Sequence, residues 1–374
     1  MSQKPSKYTI SKITEFDKEK TYKIWVDGCF DMMHFGHANA IRQAKKLFPN
    51  VELFVGVHTD EDIRRHKGPP VMNEQERYEA VRSCKWVDHV VEGAPYVTQV
   101  DVLKSHGIDF CVHGEDISFD EDGEDTYKYI HDAGMMLVVK RTEGVSSTDI
   151  VERMLKLAKN KENQQAAPAE PKPEDLVFVS PYTKMRQFLP TTHKITQFQE
   201  NPREPTDEDV IVFVDGGFDL FHTGHIEFLK RAKELGTYLI VGLHDDNVIT
   251  QVKGTGYPIM NLHERVLGVL SCRYVDDVII GAPFVVTKDV LDSLNVNVVV
   301  QGTVWEPECS IDPFELPKKF NIYKQVQSPR PDLTTTEIVK RIIDSQSQFE
   351  ARNAKKQKKE AVNLQRVLDE ENAQ

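Results

Sequence analysis

The sequence predicts two tandem α/β domains, each built as a doubly wound parallel sheet. The first observation is a repeat. The segment DGCFDMMHFGH at Asp27–His37 recurs as DGGFDLFHTGH at Asp215–His225, 188 residues later (215 − 27). The second is that each copy follows a short β-branched run and precedes a helical pattern. Alternating strands and helices are typical of parallel sheets with helices on both faces. So long a period indicates whole-domain duplication, since solenoid repeats are far shorter.

The duplication extends well beyond this motif. Further blocks recur in the same order in the second half, nearly all at the same offset, with a two-residue slip near Lys253. The paired blocks are VGVHTDEDI and VGLHDDNVI, MNEQER and MNLHER, CKWVDHVVEGAPY and CRYVDDVIIGAPF, and STDIV and TTEIV.

The elements of the first half can be placed in order from their apolar patterns. Short β-branched runs predict buried strands, and longer amphipathic stretches predict helices. Ligands of such sheets bind beyond the carboxyl ends of the strands. The first HxGH motif, His113-Gly114 and Arg141–Thr148 all fall there, so we expect them to meet in one pocket of a Rossmann-like domain. Strands are predicted near 23–27, 51–57, 87–91, 108–113 and 136–140, and helices near 36–48, 73–84, 98–106, 124–133 and 147–159.

Composition divides the rest of the chain. Residues 161–175 are polar, rich in Pro and Ala and without periodicity, which predicts a linker. The apolar stretch that follows is predicted to pack on one of the domains. The predicted organisation is an N-terminal extension (1–21), a first domain (22–158), a partly packed linker (159–208), a second domain (209–343) and a charged tail (344–374).

Charge and cysteine content exclude several classes of protein. The net charge is −12, from 47 basic and 59 acidic residues, which argues against a nucleic-acid-binding protein. There is no apolar run of membrane-spanning length, no signal peptide and no lipidation motif, so we expect a cytoplasmic protein without stable membrane insertion. The five cysteines form no CxxC pair, and Cys84 and Cys272 are predicted to be buried free thiols.

The two histidines of the first motif are predicted to face phosphate groups. His34 and His37 lie three residues apart at the start of a helix, so both rings point to one side, and Gly36 keeps the backbone clear for a phosphate. Two neutral imidazoles can stabilise charge that develops on a phosphoryl group and its leaving pyrophosphate. A zinc pair and two ordinary surface histidines are the alternatives, but no third ligand cluster accompanies the pair. The second copy favours phosphate binding.

Two further segments carry predicted phosphate ligands. Lys67 lies in RRHKGPP, a loop bounded by Gly and Pro, and its recurrence as Lys253 suggests that it closes over a triphosphate rather than being a solvated charge. RTEGVSSTDI follows a strand and opens a helix, where Ser146 and its neighbours are either an ordinary helix cap or a grip on phosphate oxygens. Arg141 just upstream favours an anion.

These motifs resemble the HxGH nucleotidyltransferases, and more closely the cytidylyltransferases, which combine HxGH with RTxGVSTT. The resemblance covers about 22–155 and 210–340, and the one departure is Ser147 where threonine is usual. Two such domains in tandem, without the membrane-binding helix of the phosphocholine enzyme, resemble the family members that use phosphoethanolamine. The resemblance implies transfer of CMP from CTP to phosphoethanolamine, which releases CDP-ethanolamine and pyrophosphate. It implies Mg²⁺ with CTP, assigns no metal ligand to the protein, and leaves open whether the chain forms a homodimer.

The resemblance also implies roles for individual residues. His34 and His37 would stabilise the transition state, Lys67 would hold the α-phosphate, and Arg141 would hold the outer phosphates, all four as catalytic residues. The implied CTP-binding residues of the first half are Cys29, Phe30, His34, His37, Lys67, His113, Arg141, Thr142, Ser146, Ser147 and Thr148. Those of the second half are Gly217, Phe218, His222, His225, Lys253, Gly302, Thr303, Thr334, Thr335 and Thr336.

The ammonium of the second substrate needs carboxylates or aromatic faces. We predict Tyr96, Glu115, Asp116 and Tyr127 for it, although all four are also ordinary surface or packing residues. The second half has QGTVWEPE in place of HGEDISFD and Phe284 in place of Tyr96. We therefore hypothesise that the second half binds CTP but contributes little chemistry.

Several other functions compete with this interpretation. Class I aminoacyl-tRNA synthetases share HxGH, but the sequence lacks a KMSKS-like segment and is acidic. A nucleotide-sensing pseudoenzyme is disfavoured by the complete set of His, Lys, Arg and hydroxyl residues in the first half. Phosphocholine and glycerol 3-phosphate remain the rival substrates, because sequence alone does not weigh an ammonium against its trimethylated form.

Overall fold

Two five-stranded parallel sheets form the core of the described structure. The structure is a computed structural model and describes residues 13, 15–115, 125–142, 144–162, 191–200, 202–304 and 311–356. Asp116 and Cys309 therefore lie outside the described residues, as does the apolar stretch predicted to pack beside the linker.

The first sheet has the order β3-β2-β1-β4-β5, and all of its strand pairs are parallel. β1 lies at the centre, in register with β2 from Tyr22↔Val51 to Gly28↔Val57. In the first half the strands are β1 (Tyr22–Gly28), β2 (Val51–Val57), β3 (His89–Glu92), β4 (Phe110–Gly114) and β5 (Met136–Val139), and the helices are α1 (Phe35–Lys45), α2 (Asp60–His66), α3 (Glu74–Arg82), α4 (Val100–Ser105), α5 (Lys128–Asp132) and α6 (Ser147–Glu162).

The second sheet repeats this topology. Its order is β10-β9-β6-β7-β8, again with parallel pairs throughout, and β6 takes the central place of β1. In the second half the strands are β6 (Ile211–Gly216), β7 (Tyr238–Leu243), β8 (Asp277–Ile280), β9 (Val298–Gly302) and β10 (Tyr323–Val326), and the helices are α7 (Thr191–Phe198), α8 (Thr223–Lys233), α9 (Asp246–Lys253), α10 (Leu262–Leu270), α11 (Lys288–Ser293), α12 (Glu315–Lys319) and α13 (Thr335–Asp344).

The fold class predicted from the sequence is confirmed. The predicted strands of the first half match β1–β5 closely, because continuous β-branched runs are what a strand buried on both faces requires. The sequence did not predict α2, which has a single buried residue, Ile63. Its helical signal is electrostatic instead: Thr59 caps it, acidic residues fill its first turn, and basic residues fill its last turn.

The elements pack into two compact units that interleave along the chain. The first unit comprises Met1–Arg82, Trp86–Glu143 and Arg341–Gln374, and the second comprises Ser83–Lys85 and Gly144–Lys340. Helix α6, which follows the first sheet, thus belongs to the second unit, and the last turn of α13 belongs to the first. The domain boundaries proposed from the repeat stay a prediction.

The cysteines of the described residues are free thiols, and Cys84 and Cys272 are buried, as predicted. Cys111 is buried beside Trp25 in the core of the first sheet. Cys29 differs from these three, because it is half-buried at the carboxyl end of β1.

Candidate active site

The HxGH motif of the first unit begins with a tight turn at the end of β1. Phe30 and Met32 both have left-handed backbone angles, with φ values of 49° and 47°, which are strained for residues with side chains. Asp31 between them is buried, and its carboxylate accepts hydrogen bonds from the backbone N–H groups of Val71 and Met72 at 3.0 Å. These bonds hold the turn and aim the following residues at the start of α1.

The two histidines form a capping box at the N-terminus of α1. His34 is the N-cap, and its Nδ1 accepts from Gly36 N–H at 3.1 Å, while Nδ1 of His37 accepts from His34 N–H at 3.4 Å. Because Nδ1 is an acceptor in both rings, a neutral ring carries its proton on Nε2. The helix start thereby presents two Nε2–H donors, and the ring centroids lie 4.0 Å apart.

His37 is held in its neutral form. Burial first, and then the positive charges of Lys67, Lys356 and Arg141, together lower its pKa to about 3. A neutral imidazole can donate a hydrogen bond to a phosphate oxygen throughout the physiological pH range. The sequence prediction of two neutral donors at a helix start thus has a definite geometry in the structure.

Lys67 is the C-cap of α2, and its charge lies beside the turn. Its Nζ lies 3.5 Å from Sγ of Cys29 and 5.6 Å from the ring centroid of Tyr96. Cys29 first, and Tyr96 after it, raise the pKa of the lysine above its usual value, so the side chain stays an ammonium. The structure brings together Cys29, Lys67 and Tyr96, which the sequence predicted separately.

The two aromatic residues predicted for the amine lie in different settings. The ring of Tyr96 is buried and stacks on His66, with centroids 4.1 Å apart and planes 7° apart. Tyr127 is part of the core of the first sheet, and its hydroxyl donates to the carboxylate of Asp27. Burial, and then the charge of Asp27, raise the pKa of Tyr127 well above its usual value.

Asp27 was not predicted as a site residue, yet it organises the carboxyl end of β1. Its Oδ2 accepts from Nε1 of Trp25 at 2.8 Å and from the hydroxyl of Thr98 at 2.5 Å, and its Oδ1 accepts from Tyr127. Three donors therefore stabilise one buried carboxylate, which is 5% exposed. No local sequence pattern predicts this network, because its members lie up to a hundred residues apart.

The other predicted residues of the first half have structural partners. The hydroxyl of Thr142 accepts from Nδ2 of Asn39 at 2.8 Å, next to Arg141 at the end of β5. His113 and Glu115 lie at the end of β4, and the ring of His113 packs on Tyr127 with centroids 4.6 Å apart.

The hydroxyl segment that follows Arg141 begins α6, in the second unit. Ser146 caps that helix, since its Oγ accepts from Asp149 N–H at 3.1 Å, and Ser147 and Thr148 form the first turn. The capping function is therefore present, and the phosphate roles of these three residues stay predictions.

The second HxGH motif repeats the capping hydrogen bonds of the first. His222 caps α8, its Nδ1 accepts from Gly224 N–H at 3.2 Å, and the two rings lie 3.9 Å apart. Gly224 is required by packing, because a Cβ there would lie 2.8 Å from the backbone oxygen of Leu333. Thr334 caps α13, and the hydroxyl of Thr335 donates to the carbonyl oxygen of Asp219 at 3.0 Å.

These residues of the second unit surround a cavity of about 190 Å³. Of the residues predicted for CTP in this half, Thr303 and Thr336 do not line it. Aromatic and aliphatic side chains cover much of the wall, including Phe228, Phe284 and Phe314. The predicted residues that do line it are Gly217, Phe218, His222, His225, Lys253, Gly302, Thr334 and Thr335.

Asp215 also lines this cavity, and its setting is the opposite of that of Asp27. The positions of the three donors to Asp27 hold Phe213, Val286 and Phe314 in the second half, none of which can donate a hydrogen bond. Oδ2 of Asp215 is buried and has no hydrogen-bond partner among the described residues. Burial raises the pKa of this carboxyl to about 7. The second site thus keeps the histidine pair and loses the polar network behind it.

Two buried arginines support the turns, and sequence reasoning assigned no role to either. Arg77 donates from Nη1 to the carbonyl oxygen of Cys29 at 2.8 Å, and Arg265 donates in the same way to Gly217 at 2.7 Å. Each is 1% exposed. The sequence feature that could have pointed to them is that each arginine ends one of the paired blocks MNEQER and MNLHER.

The described residues contain no group of three or more His, Cys, Asp or Glu side chains arranged for a metal ion. The first site offers imidazoles, an ammonium and a guanidinium, which suit phosphate oxygens rather than a cation. Among the described residues, no helix combines the length and apolar character needed to span a bilayer.

Comparison with known proteins agrees with this geometry. The cytidylyltransferase-like family model matches residues 25–153 and 213–341, so each sheet with its HxGH motif is one match. An ethanolamine-phosphate cytidylyltransferase of Dictyostelium discoideum is 57% identical over 350 residues, which cover 91% of this chain and 96% of that protein. The protein of the same name from Mus musculus is 43% identical, over 94% of this chain and 93% of its own.

A further relative differs in extent. Choline-phosphate cytidylyltransferase A of Mus musculus is 48% identical over 139 residues, which cover only 37% of this chain and 38% of that protein. The similarity to this relative therefore spans about one repeat, whereas the similarity to the two ethanolamine-phosphate enzymes spans both.

Proposed function

The chain belongs to the cytidylyltransferase-like family, and on that premise we propose that it is an ethanolamine-phosphate cytidylyltransferase. The reaction transfers CMP from CTP to phosphoethanolamine and forms CDP-ethanolamine, an intermediate of phosphatidylethanolamine synthesis, together with pyrophosphate. The observation that carries this proposal is the extent of the similarity: relatives of that name match across both repeats, and the phosphocholine relative matches about one. We also propose a cytoplasmic location.

In the proposed reaction a phosphate oxygen of phosphoethanolamine attacks the α-phosphorus of CTP in line. A new P–O bond forms as the bond from the α-phosphorus to the bridging oxygen of the β-phosphate breaks, and pyrophosphate leaves. Such a transfer depends on positioning and charge stabilisation rather than on a covalent enzyme intermediate. The residues of the first unit supply both.

The histidine pair stabilises the charge that develops during transfer. The Nε2–H groups of His34 and His37 donate to the oxygens of the reacting phosphates, and no proton needs to leave either ring. His37 suits this role because its low pKa keeps it a neutral donor rather than a second cation. Lys67 contributes a fixed positive charge, and Arg141 offers a fork of donors to the outer phosphates.

Mg²⁺ is proposed to enter with CTP and to neutralise part of the triphosphate charge. The donor set of the first site contains no protein cage for it among the described residues. In this proposal the imidazole, ammonium and guanidinium groups of the first site also contact the phosphates.

For the second unit we propose nucleotide binding with little turnover. It keeps His222, His225 and Lys253 around its cavity. However, the network that fixes the buried aspartate of the first site has been replaced by Phe and Val side chains. An acceptor substrate at that end would meet an apolar wall and a carboxyl that burial tends to protonate.

A substrate panel tests the proposed function. Pyrophosphate release from CTP is measured with phosphoethanolamine, phosphocholine and glycerol 3-phosphate at matched concentrations. We expect kcat/KM for phosphoethanolamine to exceed that for either rival by about tenfold or more, a difference of about 1.4 kcal/mol. Equal or faster turnover of phosphocholine, or no pyrophosphate release with any acceptor, would refute the proposal.

A further inference from the structure

Arg352, which follows both repeats in the sequence, lies in the first unit against the loop that carries Lys67. It belongs to the helical segment 346–356. Its Nη1 donates to the carbonyl oxygen of Pro69 at 2.6 Å and to Oδ2 of Asp31 at 3.1 Å. The side chain is 13% exposed, so these bonds form largely away from water.

The packing around this guanidinium is equally close. The stem of Arg352 runs along Gly68, where an added Cβ would lie 3.4 Å from Cγ of the arginine. Gly68 has a left-handed φ of 99°, which favours glycine. Pro69 lacks an N–H group, so its carbonyl is its one backbone hydrogen-bonding group, and Arg352 engages it. The arginine therefore fixes the loop immediately after Lys67.

Asp31 links this loop to the histidine turn. Its buried carboxylate already accepts from the N–H groups of Val71 and Met72, and Arg352 supplies the neutralising charge. A buried carboxylate requires such a partner, because an unpaired charge away from water is costly. One guanidinium thus contacts both the segment before His34 and the segment after Lys67.

A second arginine anchors the chain that leads to Arg352. Arg341, in the last turn of α13, donates to both carboxylate oxygens of Glu76 at 2.7 and 3.0 Å, and Glu76 is 1% exposed. Glu76 also accepts from Asn73 N–H at the start of α3. Farther along, the charge of Lys356 acts on His37. The segment from Arg341 to Lys356 is therefore held against the first site at several points.

Among the described residues of the second half, no side chain packs on Gly254 as Arg352 packs on Gly68. A Cβ added at Gly254, which follows Lys253 as Gly68 follows Lys67, would have no described atom within 4 Å.

We propose that Arg352 is a positioning residue for the first site, which holds Lys67 at the reacting phosphates by clamping the Lys67–Pro70 loop to Asp31. The chain that follows the second repeat thereby completes the active site of the first unit. The inference rests on the proposed function and adds to it a residue outside both family matches, the second of which ends at residue 341.

Kinetics of Arg352→Ala in the full chain test this role, with Lys355→Ala as the matched control. Lys355 lies on the same segment with an exposed side chain. We expect Arg352→Ala to lower kcat/KM for CTP by about tenfold or more, chiefly through a higher KM, and Lys355→Ala to change it by less than about twofold. Arg352→Lys keeps the charge and should fall between the two. An unchanged kcat/KM for Arg352→Ala would overturn the proposal.

A double-mutant cycle with Lys67→Ala separates positioning from general destabilisation. If Arg352 acts through Lys67, then Arg352→Ala should alter kcat/KM by less than about twofold once Lys67 is absent. Full additivity of the two losses would overturn the proposal, even if each single variant were impaired. Circular dichroism and thermal unfolding establish that each variant is folded. If Arg352→Ala does not fold, the same cycle is measured with Arg352→Lys.

A labelling readout distinguishes this inference from the proposed function. If the wild-type protein released no pyrophosphate from CTP, the proposed function would be refuted, but the positioning role of Arg352 would not. Independently of turnover, acylation of Lys67 by an amine reagent is followed by mass spectrometry in wild type and in Arg352→Ala, with the exposed Lys288 as internal reference. We expect the loosened loop to raise the labelling rate of Lys67 by about threefold or more. An unchanged rate would refute the clamp.

Discussion

Replacing Asp215 by asparagine should stabilise the protein at neutral and alkaline pH. Burial raises the pKa of this carboxyl from 3.8 to about 7. Because the folded-state pKa is higher than the unfolded one, the unfolded state loses its proton first as the pH rises. Stability is therefore lost progressively from about pH 4 to pH 7 and stays at its lower value above that.

The size of the effect follows from the shift. About three pKa units at about 1.4 kcal/mol each give up to about 4 kcal/mol of destabilisation above pH 7. Asp215→Asn removes the titration and keeps the shape of the side chain. Its stability relative to wild type should therefore rise between pH 5 and pH 8 by about 2 to 3 kcal/mol.

Urea unfolding of both proteins without nucleotide, followed by circular dichroism at several pH values, measures this difference. Asp27→Asn is the matched control, because Asp27 occupies the same place in the first sheet and accepts from three donors. We expect the control to be destabilised by about 1 to 3 kcal/mol, since an amide nitrogen would face a hydroxyl donor. A stability difference between Asp215→Asn and wild type that is the same at pH 5 and pH 8 would refute the reasoning.

Three further predictions concern the histidines and an ion pair. His34→Ala should lower kcat by about a hundredfold, whereas His222→Ala should change it by less than about fivefold; equal and complete loss in steady-state assays would contradict the proposed division of labour. Because the pKa of His37 is about 3, its ring should show no titration by NMR between pH 5 and pH 8, and the stability it contributes should be lost as the pH falls below 6.5. Arg153→Ala should destabilise the protein by about 3 kcal/mol in urea unfolding, since it leaves the 2% exposed carboxylate of Glu264 without its guanidinium partner.

A surface ion pair serves as the control for the last of these. Arg203, whose side chain is 49% exposed, pairs with Asp209, and Arg203→Ala should leave the free energy of unfolding close to that of wild type, because solvent screens an exposed pair. Equal losses from the two arginine variants would show that burial does not decide the strength of these pairs.

The sequence predicted those features that depend on local pattern. The strands of the first sheet could be placed because each is a continuous β-branched run, and the two histidines because a strand, a turn and a helix start enclose them. Helix α2 was missed because it has one buried residue, so its apolar periodicity is absent. The acidic and basic residues at its two ends are visible in the sequence, but they form no apolar pattern.

Features that depend on distant partners could not be read from the sequence. The donors to Asp27 come from β1, from the residues before α4 and from the start of α5, and only the fold brings them to one carboxylate. In the second half these three donors are replaced by Phe and Val residues. Each replacement can be seen in the sequence, but without the fold nothing shows that the three belong to one network. Likewise, Arg352 lies outside the repeat, so no paired copy drew attention to it.

The interleaving of the two compact units has a consequence for how this protein can be divided. A protease that cut the backbone between residues 162 and 191 would place Arg341 and Glu76 on different fragments, and likewise Arg153 and Glu264. Once the fragments dissociate, each would keep one buried glutamate, and the arginine that pairs with it would be on the other fragment. The duplicated gene halves are therefore no longer interchangeable modules, and expressing either alone should yield an unstable, aggregation-prone product.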